Sequence, residues 1–212
     1  GTRPATIDLT EHRPALKPHD LRMVVDRDYL DELAAAFGQV IDANSPYTGG
    51  NSERVGLIAD AVAAQLGFGT DKRRALSRSS MLHDVGKLGV SGRILEKPGK
   101  LDEQEWVQMR HHAALTTDIL SRVSAFSEMA MISGSHHERL DGKGYPLGLD
   151  ASMIALETRV ITVADFYDAL TADRPYRAAM SEERAFDIMA EEVGTALDPR
   201  CFAALKAFMA SG

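Results

Sequence analysis

The chain has 212 residues, 44% hydrophobic and 26% charged, a composition suited to one globular domain with a sizeable core. A net charge of −7 argues against a nucleic-acid polymer binder, which needs a basic footprint, and the single cysteine, Cys201, excludes an internal disulfide and a thiolate metal cluster. No apolar run reaches bilayer-spanning length and no signal-peptide pattern opens the chain, so a reducing cytoplasm is the expected compartment. A small anionic ligand stays open, but it needs local positive charge, and metal ions are the most compact source.

Residues 1–25 contain Pro4, Pro14 and Pro18 amid mixed charge, without sustained periodicity, and read as a linker before one domain over 26–212. From Asp28, "DYLDELAAAFGQVIDA" places apolar residues at helical spacing and stops at the turn-rich "NSPYTGG". "SERVGLIADAVAAQLG" is expected to be a second helix, starting near Asn51 or Ser52 and closed by Gly67. "DKRRALSRSSMLHDVG" is a third, with Asp71 as its N-cap. The loop "SGRILEKPGK" leads into "LDEQEWVQMRHHAALTTDILSRV", where Asp102 and the following acids suit a helix start.

"SEMAMISGSHHERL" reads as a shorter helix before the glycine-rich "DGKGYPLGLDASMI". "ALETRVITVADFYDALTA", "SEERAFDIMAEEVG" and "DPRCFAALKAFMA" complete the helical set. "RVITVA" has a strand-like composition, yet its apolar positions continue through Phe166 and Leu170 at helical intervals, so it is read as helix. No hairpin signal or internal repeat is present, and an all-α fold follows. Met81, Met131 and Met189 are expected in the core, and Trp106 has no assigned role.

"SSMLHDVGKLGV" sets His83 and Asp84 side by side behind apolar residues, with Gly86 and Lys87 following. One reading is a helix terminus, with a histidine suited to the dipole and a glycine to end the helix. The other is a metal site. Of the seven histidines, His12 and His19 lie in the linker, while His83, His111, His112, His136 and His137 fall in expected helices, joined by Asp84 and Asp165. Imidazoles and carboxylates are a ligand set for first-row divalent ions such as iron and manganese. Adjacent His-Asp and His-His side chains point about 100° apart on a helix, so each pair suits a binuclear cluster or a ligand with a supporting donor.

These residues resemble the HD-GYP family, a branch of the HD superfamily of metal-dependent phosphohydrolases. "HDVGK" resembles the HD signature, "HHERLDGKGYP" the defining motif nearly in full, and "VADFYDALTADRPYR" the block that follows it. The resemblance covers about Asp28 to Phe208 and implies an all-α helical bundle with a glycine-rich GYP loop. It also implies hydrolysis of the bacterial second messenger cyclic di-GMP to pGpG, with GMP as a further product left open. Carried over by motif position, the implied metal ligands are His83, Asp84, His112, His136, His137 and Asp165, with Asp84 bridging. His112 fits the family position better than His111, which is expected to be solvated or to support a ligand from behind. The implied substrate contacts are Lys87, Tyr145, Asp168, Arg174 and Arg177, with Asp84 and Lys87 taking part in catalysis. Two divalent ions, iron or manganese, would generate the nucleophile and clamp the phosphoryl oxygens.

One departure bears on the cofactor. Where the family often has histidine in "HxxRV", this chain has Asn51, and Tyr47 stands where three-metal members use a glutamate. Two ions are therefore expected over three. The same departure supports an alternative reading, a catalytically weak sensor that binds cyclic di-GMP and acts through protein partners. An upstream receiver or sensory domain and a homodimer are both compatible with these residues.

Overall fold

The computed structural model describes residues 26–44, 50–173 and 178–211. These form α1 (Arg27–Ala43), α2 (Asn51–Gln65), α3 (Thr70–Met81), α4 (Gly92–Leu95), α5 (Glu103–Ser121), α6 (Ala130–Gly134), α7 (Leu156–Thr171), α8 (Glu182–Glu191) and α9 (Pro199–Met209). Short 3-10 turns occupy Val85–Gly89 and Ser127–Met129. Among the described residues the β contribution is limited to the isolated bridges Asp141–Asp150 and Val193–Leu197. None of these helices is long and apolar enough to cross a membrane. The linker expected over 1–25 lies outside the described residues.

Several helix starts follow from side-chain caps. Asp102 and Glu105 form a reciprocal capping box on α5, and Asp26, Ser181 and Asp198 cap α1, α8 and α9. The expected cap at Asp71 is corrected: α3 begins two residues earlier, at Thr70 behind an extended Gly69, and Asp71 sits in the first turn. There the dipole still favours its carboxylate, which pairs with Arg27. "SGRILEKPGK" is not all loop, because Ile94 and Leu95 bury themselves with Val90 and fold the four-residue α4.

The β-branched run of α7 is helical because it is enclosed: Val160, Ile161, Val163 and Ala164 are all fully buried. Tertiary burial overrides its local strand bias. These residues form one apolar cluster with Val55, Ala59 and Val62 of α2, Met189 of α8 and Leu205 of α9. A second cluster joins Ala34 and Ile41 of α1 to Leu82, Val85, Leu120 and Phe126. His83-Asp84 lies between two members of the second cluster, and Asp165 follows two members of the first. The chain therefore delivers these groups from both halves of the core. Met189 is buried as expected, whereas Met131 is 47% exposed, because the short α6 turns it outward.

Candidate metal centre

His83 does not sit inside a helix. The last residue of α3 is Met81, Leu82 caps it, and the chain passes through His83-Asp84 into the 3-10 turn. Gly86 is therefore not a helix stop. A Cβ there would lie 1.9 Å from the carbonyl oxygen of His112, so only glycine lets this turn lie against α5. The contact is locked by Thr116, whose Oγ1 accepts the Gly86 N–H at 3.0 Å and donates to the His83 carbonyl at 2.9 Å. Gly134 does the same for α6, since a Cβ there would fall 2.0 Å from Thr117 Oγ1. The two contacts carry His83-Asp84, His112 and His136-His137 to one place. His136 and His137 follow the end of α6 and are not within it, which corrects the helical expectation.

His83, His112 and His136 share one local arrangement. Each Nδ1 lies 2.6 Å from the carbonyl oxygen three residues earlier, respectively Ser80, Met109 and Ser133. That contact places a ring proton on Nδ1 and turns Nε2 inward. His83 Nε2 is 3.3 Å from Asp84 Oδ2 and 3.6 Å from Asp165 Oδ1. His112 Nε2 and His136 Nε2 are 3.4 and 3.9 Å from Asp84 Oδ1. These three Nε2 atoms and Asp84 Oδ1 are buried without a hydrogen-bond partner among the described residues. Orphaned buried acceptors are costly, and divalent cations at their focus satisfy all of them together.

The ligand atoms fall into two groups that share His136: His112, His136 and His137 in one, His83, His136 and Asp165 in the other, each within 4.8 Å of one another. Asp84 turns one oxygen towards His83 and the other towards His112 and His136, the placement a bridging carboxylate requires. The donor set therefore suits divalent cations.

The charges suit the same purpose. Burial holds His136 and His137 well below their ordinary pKa, and also lowers His112, so these three imidazoles stay neutral as metal ligation demands. Burial also opposes the His83 imidazolium, but Asp84 and Asp165 outweigh it and raise His83 to about 10. A divalent cation held by these residues would take over the role of that proton. Burial works against both carboxylates too, yet Lys87 and His83 hold Asp84 well below the usual range, and His83 holds Asp165 at about 2.

Lys87 Nζ lies 2.5 Å from Asp84 Oδ2, so its ammonium faces the centre. The Tyr145 ring stacks against His137 with centroids 4.7 Å apart. Burial, helped by Asp84 and Asp165, raises the Tyr145 hydroxyl above its ordinary value, so it stays protonated. His111 is exposed. Tyr47, Arg174 and Arg177 lie outside the described residues.

Asp168 is placed differently from the substrate contact expected of it. It is 2% exposed, and its oxygens accept from Arg54 Nε at 2.5 Å, Arg54 Nη2 at 3.0 Å and Asn51 Nδ2 at 2.9 Å. It serves as an internal anchor between α2 and α7. Asn51 likewise spends an amide donor on Asp168.

Glu138 and Thr162, like Thr116, support the site without figuring among the residues expected from the sequence. Buried Glu138 accepts backbone N–H groups from Leu147 at 2.6 Å, Gly148 at 3.1 Å and Leu149 at 2.8 Å, which ties down the loop bearing Tyr145. Thr162 Oγ1 donates to the His136 carbonyl at 2.8 Å. The available signal for Glu138 was an acid just ahead of a glycine-rich stretch rich in unpaired backbone donors. For Thr116 and Thr162 no local signal exists.

Residues 36–201 match the family described as HD domain. The chain belongs to the HD-domain family. Its "HHERLDGKGYP" segment puts it in the HD-GYP branch, and a solved HDG"Y"P protein from Bdellovibrio bacteriovorus shares the fold. That match has a TM-score of 0.64 at 16% identity, over 88% of this chain and 65% of the other. This HD-GYP domain is also similar to 3'3'-cGAMP-specific phosphodiesterase 3 of Vibrio cholerae serotype O1, at 50% identity over 94% of this chain and 43% of the relative. It is similar to the cyclic di-GMP phosphodiesterase response regulator RpfG of Xanthomonas campestris pv. campestris, at 38% identity over 85% of this chain and 47% of that protein. The HD-GYP domain thus spans less than half the length of these two curated relatives.

Proposed function

We propose that this HD-GYP domain hydrolyses a phosphodiester bond of a 3'3'-linked cyclic purine dinucleotide, with two divalent ions held by His83, Asp84, His112, His136, His137 and Asp165. The observation that carries the reading is the convergence of three orphaned Nε2 atoms on the two oxygens of Asp84. Bound there, divalent ions supply Lewis-acid charge for the phosphoryl oxygens and a nucleophile at neutral pH. The nitrogen and oxygen donors suit iron or manganese.

The chain's own groups do the rest. His83, His112 and His136 enter with their rings already aimed, so no reorganisation accompanies loading. Lys87, held beside Asp84, is placed to grip the scissile phosphate or to protonate the departing ribose oxygen. Tyr145 stays protonated and donates its hydroxyl to a phosphate oxygen, from a loop that Glu138 holds still. Cyclic di-GMP is the substrate the motifs suggest, with pGpG as product. The 50% identical relative is named for 3'3'-cGAMP and the 38% identical one for cyclic di-GMP, and both share the reacting linkage. The sensor reading rests on Asn51 standing where the family often has histidine; the donors converging on Asp84 favour hydrolysis instead.

The test is elemental analysis of anaerobically purified protein, coupled to kcat/KM on both cyclic dinucleotides and identification of the products. Two ions per chain and a linear dinucleotide product are expected. A His136→Ala protein that kept its metal and its activity would overturn the site.

A further inference from the structure

We infer that Arg110, with Trp106 beside it, forms a second binding station that takes the non-scissile phosphate and a purine of the cyclic dinucleotide. This rests on the reading just given, since it assigns the part of that substrate that lies away from the reacting bond. Arg110 is an exposed residue of α5, two positions before His112. Its guanidinium carbon lies 5.4 Å from the centroid of the Tyr145 ring and 5.8 Å from that of Trp106. The Tyr145 ring is itself stacked on His137, so the guanidinium stands one aromatic layer out from the metal centre.

The other cation at the centre, Lys87, is paired with Asp84, and most described arginines form ion pairs with carboxylates. Among the described residues Arg110 meets no carboxylate within ion-pair distance, in a chain whose net charge is −7. Its partners are aromatic faces. Such contacts position the guanidinium and leave its N–H edges available for a bidentate phosphate contact.

A cyclic dinucleotide carries two phosphodiesters. With one engaged at the metal centre, the other must be met outside it, where a guanidinium set against two aromatic rings is the matching group. The Trp106 indole, 45% exposed one helical turn from Arg110, offers a face on which a purine stacks.

The deciding experiment compares Arg110→Ala and wild type, both metal-loaded, on a cyclic dinucleotide and on bis(p-nitrophenyl) phosphate, a diester with one phosphate and no purine. The expected result is a KM for the cyclic dinucleotide raised about tenfold or more, with kcat within about twofold and the small diester unaffected. Arg110→Lys should recover part of the loss, and Trp106→Ala should raise the same KM. Equal losses on both substrates would overturn the inference, because Arg110 would then act through Tyr145 and the centre. An unchanged KM for the cyclic dinucleotide would overturn it too. If wild type cleaved only the small diester, the proposed function would fail instead. Equilibrium binding of the cyclic dinucleotide would then decide this inference, and an affinity unaltered or unmeasurable in wild type and Arg110→Ala alike would end it.

Discussion

The Glu138 carboxylate accepts the backbone N–H of Leu147 at 2.6 Å, nine residues further along the chain, and so closes the loop that presents Tyr145. A Cβ on Gly144 would fall 2.4 Å from the Glu138 Cα, so the loop folds back onto the segment that anchors it. Replacing Glu138 by alanine removes the shared acceptor of three partly exposed backbone donors. A stability loss of about 1–2 kcal/mol is expected in denaturant unfolding. Metal content should hold while turnover falls, because the ligands are supported by other contacts.

Gly86→Ala is expected to damage the centre without touching a ligand. The added Cβ must displace the His112 carbonyl, 1.9 Å away, and overpacking against backbone costs about 1–3 kcal/mol or more. His112 should move with its backbone, so metal occupancy measured by elemental analysis should fall together with thermal stability. A fully loaded, equally stable variant would show that α5 adjusts freely.

Asn51→Ala separates an anchor from a ligand. The loss of one donor to buried Asp168 is expected to cost about 1–2 kcal/mol, with Arg54 still holding both oxygens. The number of ions per chain should not change. A drop in stoichiometry would place Asn51 among the ligands.

Asp198 predicts part of the acid sensitivity. Its carboxylate is 3% exposed, pairs with Arg159 at 2.8 Å and caps α9 through Arg200 and Cys201. Burial opposes its ionisation, but the Arg159 hydrogen bond and the backbone donors hold its pKa below the usual carboxylate value. Because the folded value is the lower, its contribution is full above about pH 4 and is lost as pH falls through the folded value. Asp198→Asn should therefore cost about 1–3 kcal/mol near neutrality, and the gap to wild type should narrow as pH falls below about 4. Urea unfolding at a series of pH values measures it. A gap independent of pH would assign the effect to geometry alone.

The helices were largely legible because their signals are local: Asp102 and Glu105 cap α5 from within one turn, and Phe166 and Leu170 extend the α7 periodicity past its β-branched start. His83-Asp84 and His136-His137 stood out for the same reason, as short runs of unusual composition. What was hidden depended on partners far along the chain. Asp168 looked available until Asn51, 117 residues earlier, and Arg54 were found on it. Gly86 looked like a helix breaker because the α5 backbone that excludes a side chain there lies 26 positions onward. Met131 was misread because helical spacing carries no information on which way a five-residue helix faces.

The Nδ1 contacts of His83, His112 and His136 all close within four consecutive residues. Each ring thus brings its own miniature jig, and its aim is inherited from its neighbours in the chain. Helices elsewhere are then free to drift, and recognition surfaces to be rebuilt for other nucleotides, without any of the three imidazoles needing to be pointed afresh.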